Sequence, residues 1–229
     1  MKKLLWRLLL LTMALALVYQ VWLFAHVCWW VDHNPSRSAF MSARLADMRE
    51  DDADAELHHR WVPYTSISTN LKRSVMAAED ARFLGHDGFD WEGMHDAWEK
   101  NLRKKRIVAG GSTISQQQAK NLFLSGRRTP WRKAEEAMIT VMLEKMMSKR
   151  RIYEIYLNVI EWGDGVFGAE AAARHYFHKP ASALTPREAA QLAAMVPNPR
   201  FYDLHRSTRY LERRTRTIQK RMLYVRPPR

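Results

Sequence analysis

The stretch 110–117, which reads Gly-Gly-Ser-Thr-Ile-Ser-Gln-Gln, has the residue types of an anion-binding helix start. Its two glycines let the backbone turn tightly and approach a ligand without an intervening side chain. Thr113 is a typical N-cap, and Gln116 follows three residues later, as in a capping box. A helix that begins here points free N–H groups and its positive dipole end outward, which suits a phosphate. The Gly-Lys-Ser/Thr of a P-loop does not follow, and an ordinary capped helix start explains the pattern equally well.

A glutamate lies on the apolar side of an earlier helical pattern. Leu71, Val75 and Ala78 recur at i, i+4 and i+7, and Glu79 falls at i+8 on the same face. Burial disfavours the charged form of a carboxyl and raises its pKa from about 4.3. A carboxylate on the buried side of a helix end is therefore unusual. For a lone glutamate, an ion pair with a base such as Arg82 is the commoner explanation.

Three other polar features have both a structural and a functional interpretation. His86 follows Gly85, and a core or capping histidine is a better explanation than a ligand. The basic run 103–106 precedes the glycine pair; such runs are usually solvated, but this one could also guide an anion to the helix start. Glu136 lies four residues after Arg132, a spacing that favours a surface ion pair of about 0.3–0.5 kcal/mol.

The elements that would position these residues are helices. Cap residues, Pro at a first helical position, or an alanine-rich composition mark further helix starts. These starts are at Ser68, Ser112, Pro130, Ser148, Ala169 and Thr185. Lys120 lies two turns into the second of these helices. No convincing run of alternating strand residues and no internal repeat occurs, so the sequence predicts a mostly α-helical domain.

Apolar residues at helical spacing predict which helix faces pack inside the domain. Three faces follow from this spacing. They are Trp91, Met94, Trp98 and Leu102; Trp131, Ala134, Met138, Val141 and Met142; and Ile152, Ile155, Tyr156, Val159 and Ile160.

The N-terminus predicts a membrane anchor. Lys2, Lys3 and Arg7 precede residues 8–30, which contain no Asp, Glu, Lys or Arg. A helix of that length reaches roughly 34 Å, enough to cross a hydrocarbon core of about 30 Å. A cleavable signal peptide is the alternative, but the apolar run is long for one and no clear Ala-x-Ala site follows. We expect an uncleaved anchor with its basic end in the cytoplasm.

The rest of the composition fits one anchored catalytic domain. The chain has 229 residues and a formal net charge of +13. Cys28 is its single cysteine, so the chain cannot form an internal disulfide. Residues 44–60 carry six acids and three bases, which indicates a linker or an exposed helix. Residues 200–229 carry ten bases and two acids; binding to anionic headgroups and a solvated terminal helix explain that segment equally well.

These residues resemble, in order, the motifs of glycosyltransferase family 51, the peptidoglycan polymerases, and more closely its monofunctional than its bifunctional members. The resemblance covers residues 63–200, with Ser115 where Thr is usual and His178 where Gly is common. The matching motifs are Glu79-Asp80-x-x-Phe83-x-x-His86-x-Gly88; Gly110-Gly111-Ser112-Thr113-Ile114-Ser115-Gln116-Gln117; Arg132-Lys133-x-x-Glu136; Tyr156-Leu157-Asn158 with Gly163-x-Gly165-x-x-Gly168 and Ala171-Ala172; and Leu184-x-x-x-Glu188-Ala189-Ala190-x-Leu192-Ala193.

The resemblance implies an activity and roles for residues. The enzyme would polymerise lipid II onto a lipid-linked glycan strand, with inversion at the donor sugar and release of undecaprenyl pyrophosphate. Glu79 would be the general base and Glu136 a second essential carboxylate. Ser112, Thr113, Gln117, Lys120, Arg128 and Arg132 would bind the substrate and its pyrophosphate. Asp80, Phe83, His86, Gly110, Gly111 and Asn158 would support the site.

The resemblance also implies a cofactor requirement and a catalytic scope. Mg²⁺ or Mn²⁺ would assist, with Glu136 as a candidate ligand, although the sequence shows no dedicated metal cage; no organic cofactor is implied. No Ser-x-x-Lys occurs, so we expect no transpeptidase activity.

The implied architecture is all-α: a lysozyme-like glycosyltransferase domain preceded by one N-terminal transmembrane helix. We predict a cytoplasmic stub and anchor over 1–31, a juxtamembrane linker over 32–62, the catalytic domain over 63–200 and a basic helix or tail over 201–229. The chain would be a single-pass protein of the bacterial inner membrane with a periplasmic catalytic domain. Its partners would be lipid II, the glycan strand, the membrane, and division or cell-wall synthases.

Three other functions remain open on sequence grounds. A lytic transglycosylase or lysozyme-like hydrolase shares the helical fold and a catalytic glutamate, but cleavage needs no basic cluster for a pyrophosphate. A membrane-anchored binding module could recruit wall or division proteins through the basic surface. Nucleic-acid binding, which the charge alone suggests, is least favoured because an anchored extracytoplasmic domain would not meet that ligand.

Overall fold

A computed structural model describes residues 1–106, 110–124 and 129–229 of the chain. The described part is dominated by α-helices, as the sequence predicts. In chain order these are α1 Lys2–Asp32, α2 Ala39–Asp51, α3 Thr69–Glu79, α4 Trp91–Lys104, α5 Ile114–Phe123, α6 Pro130–Met146, α7 Lys149–Val159, α8 Ala169–Phe177, α9 Pro186–Met195, α10 Pro199–Leu204 and α11 Arg209–Arg221.

Local capping chemistry sets the helix starts, which confirms the predictions made from cap residues. Ser68 and Ser148 each accept a hydrogen bond from the third residue beyond them. Thr113 and Thr185 form complete capping boxes, with Gln116 and Glu188 at the third helical position. Each cap satisfies an N–H group that the first helical turn leaves free.

Helix α7 runs through the middle of the core. Ile152, Tyr153, Ile155, Tyr156 and Leu157 are fully buried, which confirms the inward face predicted for this helix. Helix α5 packs against α6 and α7, and α3 packs against α9. This arrangement brings the C-terminal end of α3 beside α5.

A small sheet closes one side of the core. Its strands are β1 His58–His59, β2 Glu161–Gly163 and β3 Val166–Phe167, in the order β1-β3-β2. Strand β1 is parallel to β3, and β2 is antiparallel to β3. Strands of two or three residues are too short to show alternation, so no pattern in the sequence predicted them.

Two positions beside the sheet and helix α8 have backbone conformations that favour glycine. Gly168, with φ +83°, brings its Cα so close to α7 that an added Cβ would lie 2.7 Å from the Asn158 carbonyl oxygen. His178 ends α8 with φ +56°, where glycine is the favoured residue. The left-handed backbone therefore accounts for the glycine that is common at this position, and nothing in the structure explains the histidine.

The apolar faces predicted for α4 and α6 are wrong. Trp91 on α4 is 69 % exposed and Trp131 on α6 is 81 % exposed. The residues that α6 buries are instead Glu136, Ile139, Thr140 and Leu143. Hydropathy cannot tell a core from another apolar environment, and exposed aromatic residues of this size mark a contact surface.

Segments predicted as peripheral are parts of the folded body. Helix α2, in the predicted linker, packs against α5 and buries Met41 and Leu45. Its Arg44 forms an ion pair with Asp164 next to the sheet. In the predicted tail, α11 packs against α9 and α3. The boundaries of the four predicted segments stay predictions. Helices from the predicted anchor, linker and tail nevertheless pack against helices of the predicted catalytic segment.

Helix α1 is, in the described part of the chain, the one helix long and apolar enough to cross a membrane. Most of its residues are exposed, but Leu23 and Val27 are fully buried. The ring centroids of Trp30 and Phe123 lie 5.0 Å apart, and Arg151 donates to the Trp30 carbonyl oxygen at 3.0 Å. The last third of the helix is therefore docked on the helical domain.

Candidate active site

Glu79 is the last residue of α3, and its side chain is 11 % exposed. Gln117 on α5 donates through Nε2 to Glu79 Oε2 at 3.0 Å. Arg214 Nη2 on α11 lies 3.6 Å from Glu79 Oε1. The alternative ion pair with Arg82 is wrong, because Arg82 instead pairs with two acids next to and within α4, Asp90 and Glu92.

A buried tyrosine fixes the orientation of Gln117. The Tyr156 hydroxyl donates to Gln117 Oε1 at 2.9 Å, which leaves the amide NH₂ directed at Glu79. Burial raises the pKa of Tyr156 well above its usual value, so this donor stays protonated. The chain Tyr156–Gln117–Glu79 thus holds one carboxylate oxygen and leaves the other, Oε1, without a hydrogen bond from it.

Burial is the largest influence on the proton affinity of Glu79. It raises the pKa of the carboxyl above its ordinary value. The hydrogen bond from Gln117 and the charges of Arg214 and Lys120 oppose that rise, whereas Asp80 adds to it. The predicted direction of the shift is confirmed. A carboxylate with a raised pKa is a stronger base than an exposed one.

The start of α5 is filled by the protein's own groups. Asp80 Oδ2 accepts a hydrogen bond from the Ile114 N–H at 3.0 Å, and His86 Nε2 lies 3.1 Å from Asp80 Oδ1. Thr113 is buried and donates to the Gly88 carbonyl oxygen at 2.7 Å. The carboxylate of Asp80 therefore occupies the position at which the sequence suggested an external anion. Asp80, His86 and Thr113 instead fix α5 relative to Glu79.

The remaining residues of the glycine-rich motif differ in their surroundings. Gly111 is close to α4, where an added Cβ would lie 3.2 Å from Met94 Cα. Among the described residues, nothing lies within 4 Å of a Cβ built at Gly110. Ser112 is exposed. Ser115 is buried and donates its hydroxyl to Glu144, a contact that either Ser or Thr can make.

Lys120 lies one turn after Gln117 and shares its cleft. The cleft has a volume of about 540 Å³ and receives polar and charged side chains from α5, β2 and α10. The Lys120 ammonium lies 5.8 Å from the centroid of the Phe40 ring. Arg128, the other predicted pyrophosphate partner on this side, lies outside the described residues.

Glu136 is buried in α6, with 3 % of its surface exposed. Arg132 donates to its Oε2 at 3.2 Å, and Lys133 donates to its Oε1. The interpretation as a surface ion pair is therefore wrong. The two cations neutralise the buried carboxylate, and the carboxylate in turn fixes the orientation of both cations.

The arrangement around Glu136 does not form a metal cage. Each of its oxygens already faces a cation, Arg132 or Lys133. Among the described residues, no three His, Cys, Asp or Glu side chains come together as metal ligands.

Two predicted supporting residues are buried and hold neighbouring segments. Phe83 is fully buried, with Lys149 Nζ 4.5 Å from its ring centroid. Asn158 is also fully buried; its amide accepts from the Val62 N–H and donates to the Val62 carbonyl, each at 3.0 Å. The two hydrogen bonds of Asn158 fix the chain before α3 to the core helix α7.

Sequence reasoning missed the contacts of two residues with this site. Tyr156 belongs to a recognised motif and was expected inside, but nothing in the pattern indicated its bond to Gln117. Arg214 was one of nine bases in the segment 201–229, which was predicted as a basic helix or tail. Only the packing of α11 on α3 and α9 shows that this one base reaches Glu79.

Comparison with known proteins yields one family and many close relatives. Residues 46–223 match the family model described as Transglycosylase, which extends beyond the predicted catalytic segment at both ends. The chain is 63 % identical to a biosynthetic peptidoglycan transglycosylase of Methylobacillus flagellatus, over 99 % of each chain. It is 65 % identical to that of Laribacter hongkongensis, over 94 % of this chain and 95 % of the relative. It is 61 % identical to that of Chromobacterium violaceum over the full length of both.

Proposed function

The chain belongs to the transglycosylase family of peptidoglycan glycosyltransferases, and from that membership we propose that it polymerises lipid II into glycan strands. The observation that carries the proposal is a buried glutamate, Glu79, whose hydrogen-bond partner Gln117 lines a cleft together with Lys120. Hydrolysis requires the first of these groups. Departure of a pyrophosphate also benefits from the second, because cations stabilise the negative charge that develops.

The reaction is a direct displacement at the donor sugar. The acceptor 4-hydroxyl oxygen attacks C1 of the donor, its proton passes to Glu79, and the bond from C1 to the phosphate oxygen breaks. The electron pair of that bond leaves with undecaprenyl pyrophosphate. Attack from the opposite face inverts C1, so an α-linked donor becomes a β-linked unit of the polymer.

The two oxygens of Glu79 have different tasks in this reaction. Oε2 accepts the hydrogen bond from Gln117, which fixes the plane of the carboxylate. Oε1 has no hydrogen bond from Gln117 and is the oxygen that takes the proton. The raised pKa of Glu79 makes that transfer more favourable than it would be to an exposed carboxylate.

The leaving group is assigned to the basic residues on α5 and near α6. Lys120 lies one turn after Gln117 in the same cleft, and Arg132 is held by the buried Glu136. Arg128 joins this group as a proposal from the family motif. Glu136 acts by orienting Arg132, and a contribution of Mg²⁺ or Mn²⁺ stays a prediction.

The location follows from the anchor and the exposed apolar surface. We place α1 across the inner membrane, with Lys2 and Lys3 in the cytoplasm and the catalytic domain in the periplasm. The Tyr19 hydroxyl donates to Glu135 on α6 at 2.6 Å, so α6 lies beside the anchor. The exposed Trp131 on that helix is then at the height of the bilayer, where a lipid-linked substrate is bound.

The test is a product assay with the detergent-solubilised full chain and labelled lipid II. The proposal predicts glycan polymer and one undecaprenyl pyrophosphate released for each sugar linkage formed. Soluble anhydro-sugars released from finished cell wall, without polymer from lipid II, would establish the hydrolase instead. Tight binding of lipid II with neither product would establish a binding module.

A further inference from the structure

One oxygen of Glu79 faces a cation that comes from the far end of the chain. Arg214 Nη2 lies 3.6 Å from Glu79 Oε1, whereas Gln117 occupies Oε2 with a hydrogen bond of 3.0 Å. A separation of 3.6 Å is that of an ion pair without a hydrogen bond. Arg214 therefore places positive charge beside Oε1 and leaves its lone pair open to an incoming proton.

The packing of α11 holds Arg214 in this position. Leu211, Thr215 and Ile218 are the buried residues of the helix, and they lie on the side that packs against α9 and α3. The Arg214 side chain is 28 % exposed, and its Nε is buried without a hydrogen-bond partner among the described residues. A guanidinium that is this little hydrated exerts a stronger charge effect than one in open water.

The charged and titratable surroundings of Glu79 come from every helix packed near it. Asp80 follows it in the chain and disfavours its charge, whereas Lys120 on α5 and Arg214 on α11 favour it. Tyr153 and Tyr156 on α7 are neutral, because burial raises the pKa of both hydroxyls. The buried residues of α9 are alanine, leucine and methionine.

We propose that Arg214 is a positioning residue that keeps Glu79 ionised and directs its free oxygen, Oε1, to the acceptor hydroxyl. This inference rests on the proposed role of Glu79 as the general base. Without a cation at Oε1, burial would leave a larger fraction of Glu79 protonated at neutral pH, and a protonated carboxyl cannot accept the proton. Lys120 cannot substitute for it, because a cation engaged by the departing pyrophosphate no longer offsets the charge of Glu79.

The experiment compares Arg214→Gln, Arg214→Lys and the control Arg213→Gln, an exposed neighbour on the same helix. The readout is kcat/KM for lipid II polymerisation as a function of pH. Loss of the cation raises the pKa of Glu79, so the acidic limb of the Arg214→Gln profile moves upward by about one pH unit. At pH values below the limb, this shift corresponds to about a tenfold loss of kcat/KM. The lysine variant returns the limb most of the way to its wild-type position, and the control leaves the limb in place.

A uniform loss of activity with an unmoved acidic limb would overturn the inference, since it would show a structural or substrate-binding role only. So would an unchanged profile of Arg214→Gln. A second measurement does not depend on turnover. The Glu79 carboxyl is titrated by ¹³C NMR in glutamate-labelled wild type, Arg214→Gln and Arg214→Lys, with its signal assigned by loss in Glu79→Gln.

The NMR titration also separates the inference from the proposed function. A higher Glu79 pKa in Arg214→Gln than in wild type supports the charge coupling even where no polymer forms, whereas equal values contradict it. If Arg214→Gln does not fold, Arg214→Met replaces it in the comparison, because it removes the same charge and keeps the apolar part of the side chain. A Glu79 pKa in that variant equal to the wild-type value overturns the proposal.

Discussion

At the scale of single residues, the site depends on one carboxylate whose surroundings differ at its two oxygens. Gln117 holds Glu79 Oε2, Arg214 lies near Oε1, and Tyr156 sets the direction of the Gln117 amide. The burial of Glu79 could be predicted from its place on an apolar helical face. Its partners could not, because they come from helices 38 or more residues away in the chain and no local pattern encodes such contacts.

The raised pKa of Glu79 gives a prediction on stability. A carboxyl whose pKa is higher in the folded state contributes stability below its unfolded pKa, and that contribution is lost as the pH rises through the folded value. Glu79→Gln is neutral at every pH. We expect this variant to melt about 2–4 °C above wild type at neutral pH, as a gain of about 1 kcal/mol gives in a chain of this size.

Circular dichroism in detergent as a function of pH measures this difference. The difference in melting temperature should shrink as the pH falls toward the ordinary pKa range of a carboxyl, where Glu79 is protonated in both the folded and the unfolded state. The exposed Glu50 on α2 provides the control, since Glu50→Gln removes a charge that is not buried. A Glu79→Gln variant that melts below wild type at neutral pH would contradict the account of a buried, charge-destabilised base.

Lys120 gives a prediction on the leaving group. Lys120→Ala removes a cation from the cleft beside Gln117 and should lower kcat/KM on lipid II by about 10²-fold, the usual cost of one transition-state charge contact. Arg128→Ala should act in the same direction. Steady-state kinetics measure both, against Lys220→Ala at an exposed position of α11. Unchanged kinetics for Lys120→Ala would remove it from the site.

At the scale of elements, cap residues predicted helix starts well because capping is local chemistry within four residues. The faces of α4 and α6 were predicted wrongly, because hydropathy does not say which apolar environment a face meets. Glu136 illustrates the reverse error. Its two partner cations lie on the same helix, and this local spacing predicted a surface ion pair although the carboxylate is buried. The short sheet and the docking of α11 depend on distant packing and could not be predicted.

The link between α7 and the chain before α3 gives a prediction on stability. Asn158→Ala leaves the Val62 N–H and carbonyl without their side-chain partner, at a cost of about 2 kcal/mol. The melting temperature should fall by about 4–8 °C, while turnover of the folded enzyme at low temperature changes little. Thermal unfolding against the exposed control Asn34→Ala tests this. A variant with unchanged stability would show that the bonds to Val62 contribute nothing.

At the scale of the whole molecule, the anchor and the catalytic domain form one packed unit. Leu23 and Val27 of α1 are buried, and Arg151 binds the carbonyls of Trp30 and His33 at the end of the helix. With α1 across the membrane as proposed, this docking would set the distance of the site from the bilayer. A long apolar N-terminal helix was predictable from composition, but its docking on the domain was not.

That docking predicts that the N-terminal segment stays attached. Intact mass and N-terminal sequencing of the protein purified from membranes should show a chain that retains Lys2 and Lys3. Removal of the segment would also expose the core surface that Leu23 and Val27 cover. A mature N-terminus after Trp30 would show a cleaved signal and contradict the anchor.

The central claim is that Glu79 is the base of a lipid II polymerase, and one measurement tests it most directly. Wild type and Glu79→Gln are incubated with labelled lipid II, and the products are digested with lysozyme. The account predicts lysozyme-sensitive polymer from wild type and, from a Glu79→Gln protein that folds normally, a loss of about 10²–10⁴-fold, as expected for removal of a general base. Polymer formed by Glu79→Gln at close to the wild-type rate would contradict it.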